Sequence, residues 1–299
     1  MKRAFISLFL FIALASAAVG QNANDWFITV WEPSGTTIYF NATGNGYTLK
    51  CVQLNSVGNE IPATMQTFTG VNGSYTITTG ITAGQKYRIY AYGGTFNKVG
   101  FFYSKTLLKV EQWGTTQWAT MNRAFYKCEN MDVTAPDKPN LSAVTDMSEM
   151  FYECYKLVNA NGSMKNWNTA NVTDMNSMFF GSFLFNQDIS GWNVSNVTNM
   201  KAMFAYAKIF NQDISRWNVS KVTNMRAMFS NTEAFNQDIS GWDVSHVTYM
   251  NSMFYETKVF NQNINSWDVS SVTDISYMFY KAKHSISHSI TGMYRTWKI

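Results

Sequence analysis

The chain has 299 residues, of which 46% are hydrophobic, 16% aromatic and only 14% charged. That apolar content suffices for one or two buried cores and excludes disorder, while 18 Gly and 4 Pro exclude a collagen-like or low-complexity chain. A formal net charge of +4 gives no electrostatic reason to expect nucleic acid or an anionic membrane as partner.

Lys2 and Arg3, the uncharged run Ala4 to Ala15, and the small residues Ser16, Ala17, Ala18 and Gly20 form the three-part pattern of a secretory signal peptide over residues 1–20. The run is too short to cross a bilayer comfortably, and no long apolar stretch follows. The mature chain is therefore expected to be exported, at a cell surface or secreted, with no membrane span. Export implies an oxidising compartment, which makes Cys51, Cys128 and Cys154 matter.

Residues 21–106 read as all-β. Short segments rich in β-branched and aromatic residues (26–31, 36–40, 47–54, 74–79, 86–92 and 99–103) alternate with turn-forming pieces such as Asn72-Gly73 and Gly93-Gly94. Strands at this spacing predict a small sandwich, and no chemistry is visible in them.

From residue 107 a 25-residue period takes over. Trp167, Trp192, Trp217, Trp242 and Trp267 are spaced 25 apart, and columns of Phe, Ile, Val and Met keep the same period. Seven rungs can be counted from Met121, Met147, Met175, Met200, Met225, Met250 and Ile275. Such self-similarity predicts stacked coils that bury like side chains over like. The spacing predicts a strand near the Ile-x-x-Trp segment and a helical turn at Met-x-x-Met-Phe, hence an α/β solenoid over 107–282. The next Phe, Ile and Trp positions fall on Ser285, Ser289 and Gly292, so 283–299 reads as a cap or tail.

The polar columns read first as structural. Asn186, Asn211, Asn236 and Asn261 can form an amide ladder. Stacked Asp188, Asp213 and Asp238 would suit calcium, but backbone N–H donors relieve the same repulsion, and Asn263 breaks the column. No cofactor or metal is expected. Cys128 and Cys154 occupy one small-residue column on adjacent rungs, so they are either a disulfide or two stacked free thiols. Catalysis is not expected: the three His are His246, His284 and His288, with no third ligand beside the last two, and no P-loop or Gly-x-Ser-x-Gly occurs.

The rungs resemble the BspA-type leucine-rich repeat of bacterial surface proteins, with its DUF285-type tandem units. The carrying segments are Val144 to Cys154 and the Phe-Asn-Gln units from Phe185 to Thr273. The entry segment Leu108 to Phe125 also resembles the junction of Bacteroidetes-type members that place a β-sandwich first. The resemblance implies a right-handed leucine-rich-repeat-like architecture, export, and binding or adhesion. The partner expected is an extracellular protein or glycan, with oligomeric state left open. Side chains that vary from rung to rung mark the expected binding surface: Asn196, Lys201, Lys221, Arg226, His246 and Tyr249. The competing expectation is a structural or self-assembling surface spacer without a specific ligand.

Overall fold

Alternating apolar residues make strands of the first third of the chain. In the computed structural model, which describes residues 23–282, ten strands are formed. They are β1 (Phe27–Trp31), β2 (Ile38–Phe40), β3 (Ala42–Thr43), β4 (Tyr47–Leu54), β5 (Gln66–Val71), β6 (Tyr75–Ile77), β7 (Lys86–Tyr92), β8 (Lys98–Val99), β9 (Leu107–Gln112) and β10 (Asp132–Val133). The expected signal peptide, the 283–299 cap or tail, and His284 and His288 with it, lie outside the described residues.

The main sheet has the order β10-β9-β1-β7-β4-β5, with β10 parallel to β9 and every other pair antiparallel. In β7, Tyr87, Ile89 and Ala91 are buried while Arg88 and Tyr90 are partly exposed, the two-residue period of a strand. Ribbons β2–β6 and β3–β8 add Ile38, Phe40, Ile77 and Val99 to the core containing Phe27, Leu49 and Ile89. The expected two-sheet sandwich is thus corrected to one mixed six-stranded sheet with two short ribbons. Nor does this sheet stop at residue 106: β9 and β10 come from the region where the repeats begin, and one contiguous core runs from Phe27 to Met278.

The α/β solenoid is also corrected. No α-helix occurs among the described residues, and the Ile-x-x-Trp segment is a turn rather than a strand, with Trp192 N–H donating to Ile189 O at 3.1 Å. Rungs pair through single parallel bridges instead, such as Asn199 with Asn224 and Asn224 with Tyr249. The rung from Met200 shows how its backbone is satisfied. The N–H groups of Met200, Ala202, Phe204 and Tyr206 donate to Asn224, Arg226, Met228 and Ser230 of the next rung. Those of Met203, Ala205 and Ala207 close turns on Met200, Ala202 and Phe204. A helix would spend its N–H groups within itself and leave none for the neighbouring rung, and a single helical turn is costly to nucleate.

This turn pair places two left-handed residues in each rung: Ala202 (φ 52°) and Tyr206 (φ 61°), then Ala227 and Asn231, Ser252 and Glu256, Tyr277 and Lys281. The three earlier rungs place Arg123 and Lys127, Glu149 and Glu153, and Ser177 and Gly181 in the same positions. Left-handed geometry costs a non-glycine residue about 1–2 kcal/mol. It persists because, in every described rung but the last, these residues donate to the next rung, and because the geometry turns Met and Phe inward. Phe125, Phe151, Phe179, Phe204, Phe229 and Phe254 stack on their successors with ring centroids 5.4–5.8 Å apart. Burying each such ring contributes about 1.5–3 kcal/mol.

Candidate functional site: the outward edge of the stacked rungs

Register along the stack is fixed from inside. Trp167 and Trp192 lie face to face, 6.1 Å apart and within 9° of parallel. The indole N–H of Trp192 donates to Met164 O at 2.8 Å, and those of Trp217, Trp242 and Trp267 donate to Ile189, Ile214 and Ile239 at 3.1–3.3 Å. Trp167 opens the ladder, and its buried indole N–H has no acceptor among the described residues. The Asn column forms the expected amide ladder: Asn211, Asn236 and Asn261 each donate a backbone N–H to the side-chain oxygen of the Asn one rung earlier, at 2.9 Å. Gln212, Gln237 and Gln262 bond the same Asn residues from their side chains.

The Asp column is engaged by hydrogen bonds. Asp188, Asp213 and Asp238 each accept the backbone N–H two residues on, from Ser190, Ser215 and Ser240, at 2.9 Å. Lys165, bonded to Asp188 at 2.5 Å, together with Ser190, holds that carboxyl down at about 2. Among the described residues no three His, Cys, Asp or Glu side chains converge as a metal site. Cys128 and Cys154 are not disulfide-bonded: both are free, buried thiols, donating to Phe101 O at 2.6 Å and Phe125 O at 3.1 Å. Burial pushes the Cys51 and Cys128 thiols up to about 12 and raises Cys154 as well, so none is a ready nucleophile.

On the outer side, the six expected binding residues fall on one edge of the rungs, in three neighbouring columns along the Val-Thr segment. Asn196 donates to Ala170 O at 2.9 Å and accepts Lys221 Nζ at 2.7 Å, so these two are linked to each other rather than idle. His246, exposed in the same column, has Nδ1 3.2 Å from Ser245 Oγ. Lys201 and Arg226 are exposed in a second column, and Tyr249 is 49% exposed in a third. Thr198, Thr223, Thr248 and Thr273 rigidify this edge, each donating its hydroxyl to the Thr carbonyl one rung earlier at 2.9–3.3 Å.

Two features escaped the sequence reading. Phe101 and Tyr103 act as half a rung before the first: their N–H groups donate to Ala124 O and Tyr126 O at 2.8 Å, and Tyr103 has φ 57°. Without the Met-x-x-Met-Phe signature, nothing in the period pointed to them. A second outward stripe is aromatic, with Tyr126, Tyr152 and Phe180 stacked 4.5–4.7 Å apart and Lys127 Nζ 5.7 Å from the Tyr126 ring. Ion pairs cross rungs beside it, Lys127–Glu153 at 3.3 Å and Lys281–Glu256 at 3.2 Å.

No helix among the described residues is long and apolar enough to cross a membrane. No curated protein and no solved structure is significantly similar to the chain. Residues 119–226 and 191–293 both match the family described as "Mycoplasma protein of unknown function, DUF285", together covering more than half of the chain. The protein therefore belongs to the DUF285 repeat family.

Proposed function

We propose that this chain is an exported, non-catalytic surface protein of BspA-like, Bacteroidetes type, whose repeats bind an extracellular protein or glycan through the Val-Thr edge. The carrying observation is the contrast between the two sides of that edge. Val197, Val222 and Val247 are identical and fully buried, whereas the adjoining outward column runs Asn196, Lys221, His246. Inward positions are dictated by packing, and outward ones are free to be set by a partner. The signal-peptide pattern of residues 1–20 supports export.

The test is binding of the purified chain to immobilised mucin and extracellular-matrix preparations. Retention by either, reduced at least threefold in a Lys221→Ala/Arg226→Ala variant that keeps the wild-type melting temperature, supports the reading. Retention no better than that of a chain lacking one internal 25-residue rung would sink it. Light scattering that grows with concentration, in the absence of any such binding, would favour the spacer instead.

A further inference from the structure

Apolar side chains left in water are unevenly spread over this chain. Of the twelve exposed large hydrophobic side chains among the described residues, eight lie on the turn pairs or the two residues after them, whereas the Val-Thr edge carries only Tyr249. Exposed apolar side chains gathered on one face mark an interaction surface, as scattered ones do not.

Charges on the first two rungs of that face are sorted by row. Arg123 and Lys127 stand on the first rung, and Glu149 and Glu153 hold the same two left-handed positions on the second. They pair within the chain at 2.8 Å and 3.3 Å. Beside these charges lie the rings of Tyr126 and Tyr152, stacked 4.7 Å apart. The rows to either side are matched in size. On the half-rung before the first, Tyr103 is 66% exposed and left-handed. On the third rung the corresponding position is Gly181, which has no side chain.

We propose that this face joins two copies of the chain as an isologous dimer, about a twofold axis running parallel to the rungs between the first and the second. Such an axis lays the first rung of one copy over the second rung of the other, and the half-rung over the third. Arg123 and Lys127 then face Glu149 and Glu153 of the other copy, Tyr126 meets its Tyr152, and Tyr103 projects over its bare Gly181. Moving the axis onto the first rung would oppose Arg123 to itself, and moving it onto the second would oppose Glu149 to itself. The charges therefore admit one register. A pattern that is its own complement under a twofold rotation singles out a second copy over an unrelated partner. The inference stands apart from the binding reading, because the Val-Thr residues occupy other columns.

The test is sedimentation equilibrium of the full chain from about 1 to about 300 µM, the range in which small interfaces dissociate. The mass should rise to twice that of one chain and stop there. Tyr103→Ala, at an exposed side chain, should weaken the dimer at least fivefold and leave the melting temperature unchanged. Arg123→Glu/Lys127→Glu makes both rungs acidic, and Glu149→Arg/Glu153→Lys makes both basic. Each alone should weaken dimerisation tenfold or more, and an equimolar mixture of the two should regain it. A monomer at every concentration, a mass that climbs past the dimer, a dimer indifferent to Tyr103→Ala, or a mixture no better than its components would each overturn the proposal. Mucin and matrix retention separates the two claims: retention by a strictly monomeric chain removes the dimer and leaves the binding surface. A dimer that depends on Tyr103, without such retention, does the reverse.

Discussion

The front sheet and the repeat stack both bury aromatic rings, but by unlike geometries. In the front core Phe27 meets Trp113 at 34° and Trp118 at 78°, while the two Trp rings meet at 89°. Along the stack every Phe of the inner column lies within 12° of its neighbour. In the first region each side chain is shaped by different neighbours; in the second, largely by copies of itself. A repeated core therefore fixes rung spacing along the whole column, and leaves the outward side chains free of that constraint.

The largest effect expected from breaking this contrast is at Phe229, which touches Phe204, Phe235, Trp242 and Phe254. Phe229→Ala should cost about 3–5 kcal/mol through lost burial and the cavity left behind. Hydrogen exchange should speed up in the two adjoining rungs, while β7 amides keep their protection. Equal loss in β7 would mean that sheet and stack open as one unit, as their contiguous core allows.

Next in size is a pair of charge deletions. Arg88 bridges Glu111 at 2.7 Å and Glu60 at 2.9 Å on the front sheet, with side-chain exposures of 21–27%. Arg88→Met leaves two half-buried carboxylates without that partner and should cost about 2–3 kcal/mol in urea unfolding. Lys258 pairs with Glu233 on the stack, but its side chain is 56% exposed. Lys258→Met should change stability by no more than about 0.5 kcal/mol.

One substitution should change sign between the regions. Ala91, fully buried in β7, loses a packed methyl and gains chain entropy when replaced by Gly, so Ala91→Gly should cost about 1–2 kcal/mol. Ala227 has φ 54°, a left-handed geometry that glycine adopts without strain. Ala227→Gly should therefore stabilise the chain by about 0.5–1 kcal/mol, net of glycine's entropy cost. Thermal melts of the two variants would show it, and two losses would mean that the stack bears no strain at that position.

That sign change also explains what the sequence could and could not reveal. The 25-residue Trp ladder was legible because burial in register demands identical shapes, and the variable columns were legible as its complement. Met-x-x-Met-Phe was misread as helical because the same inward spacing fits a helical face and a pair of turns with a left-handed third residue. Ala202, Ser252 and Glu256 adopt that conformation although none is glycine or asparagine, so no residue type announced it. The extension of the sheet through β9 and β10, and the half-rung at Phe101 and Tyr103, depend on long-range pairing that periodicity does not encode.

Another small effect is expected at the seam between irregular and regular rungs. Lys165 sits in the short 3-10 turn Ser163–Asn166 of the last irregular rung and bonds Asp188 of the first regular one. With Ser190, it lowers the Asp188 carboxyl from 3.8 to about 2. A depressed folded-state value means that the pair stabilises the fold fully above pH 4, and that this contribution fades as pH falls towards 2. Both side chains are well exposed, so screening leaves less than about 1 kcal/mol at stake. Asp188→Asn keeps an acceptor for Ser190, as Asn263 does for Asn265 at 3.0 Å, but removes the titrating charge. Urea midpoints should therefore fall more steeply for wild type than for Asp188→Asn as pH drops from about 4 to about 2. Parallel curves would show that the seam is held by its stacked rings, such as Trp167 on Trp192, without help from this ion pair.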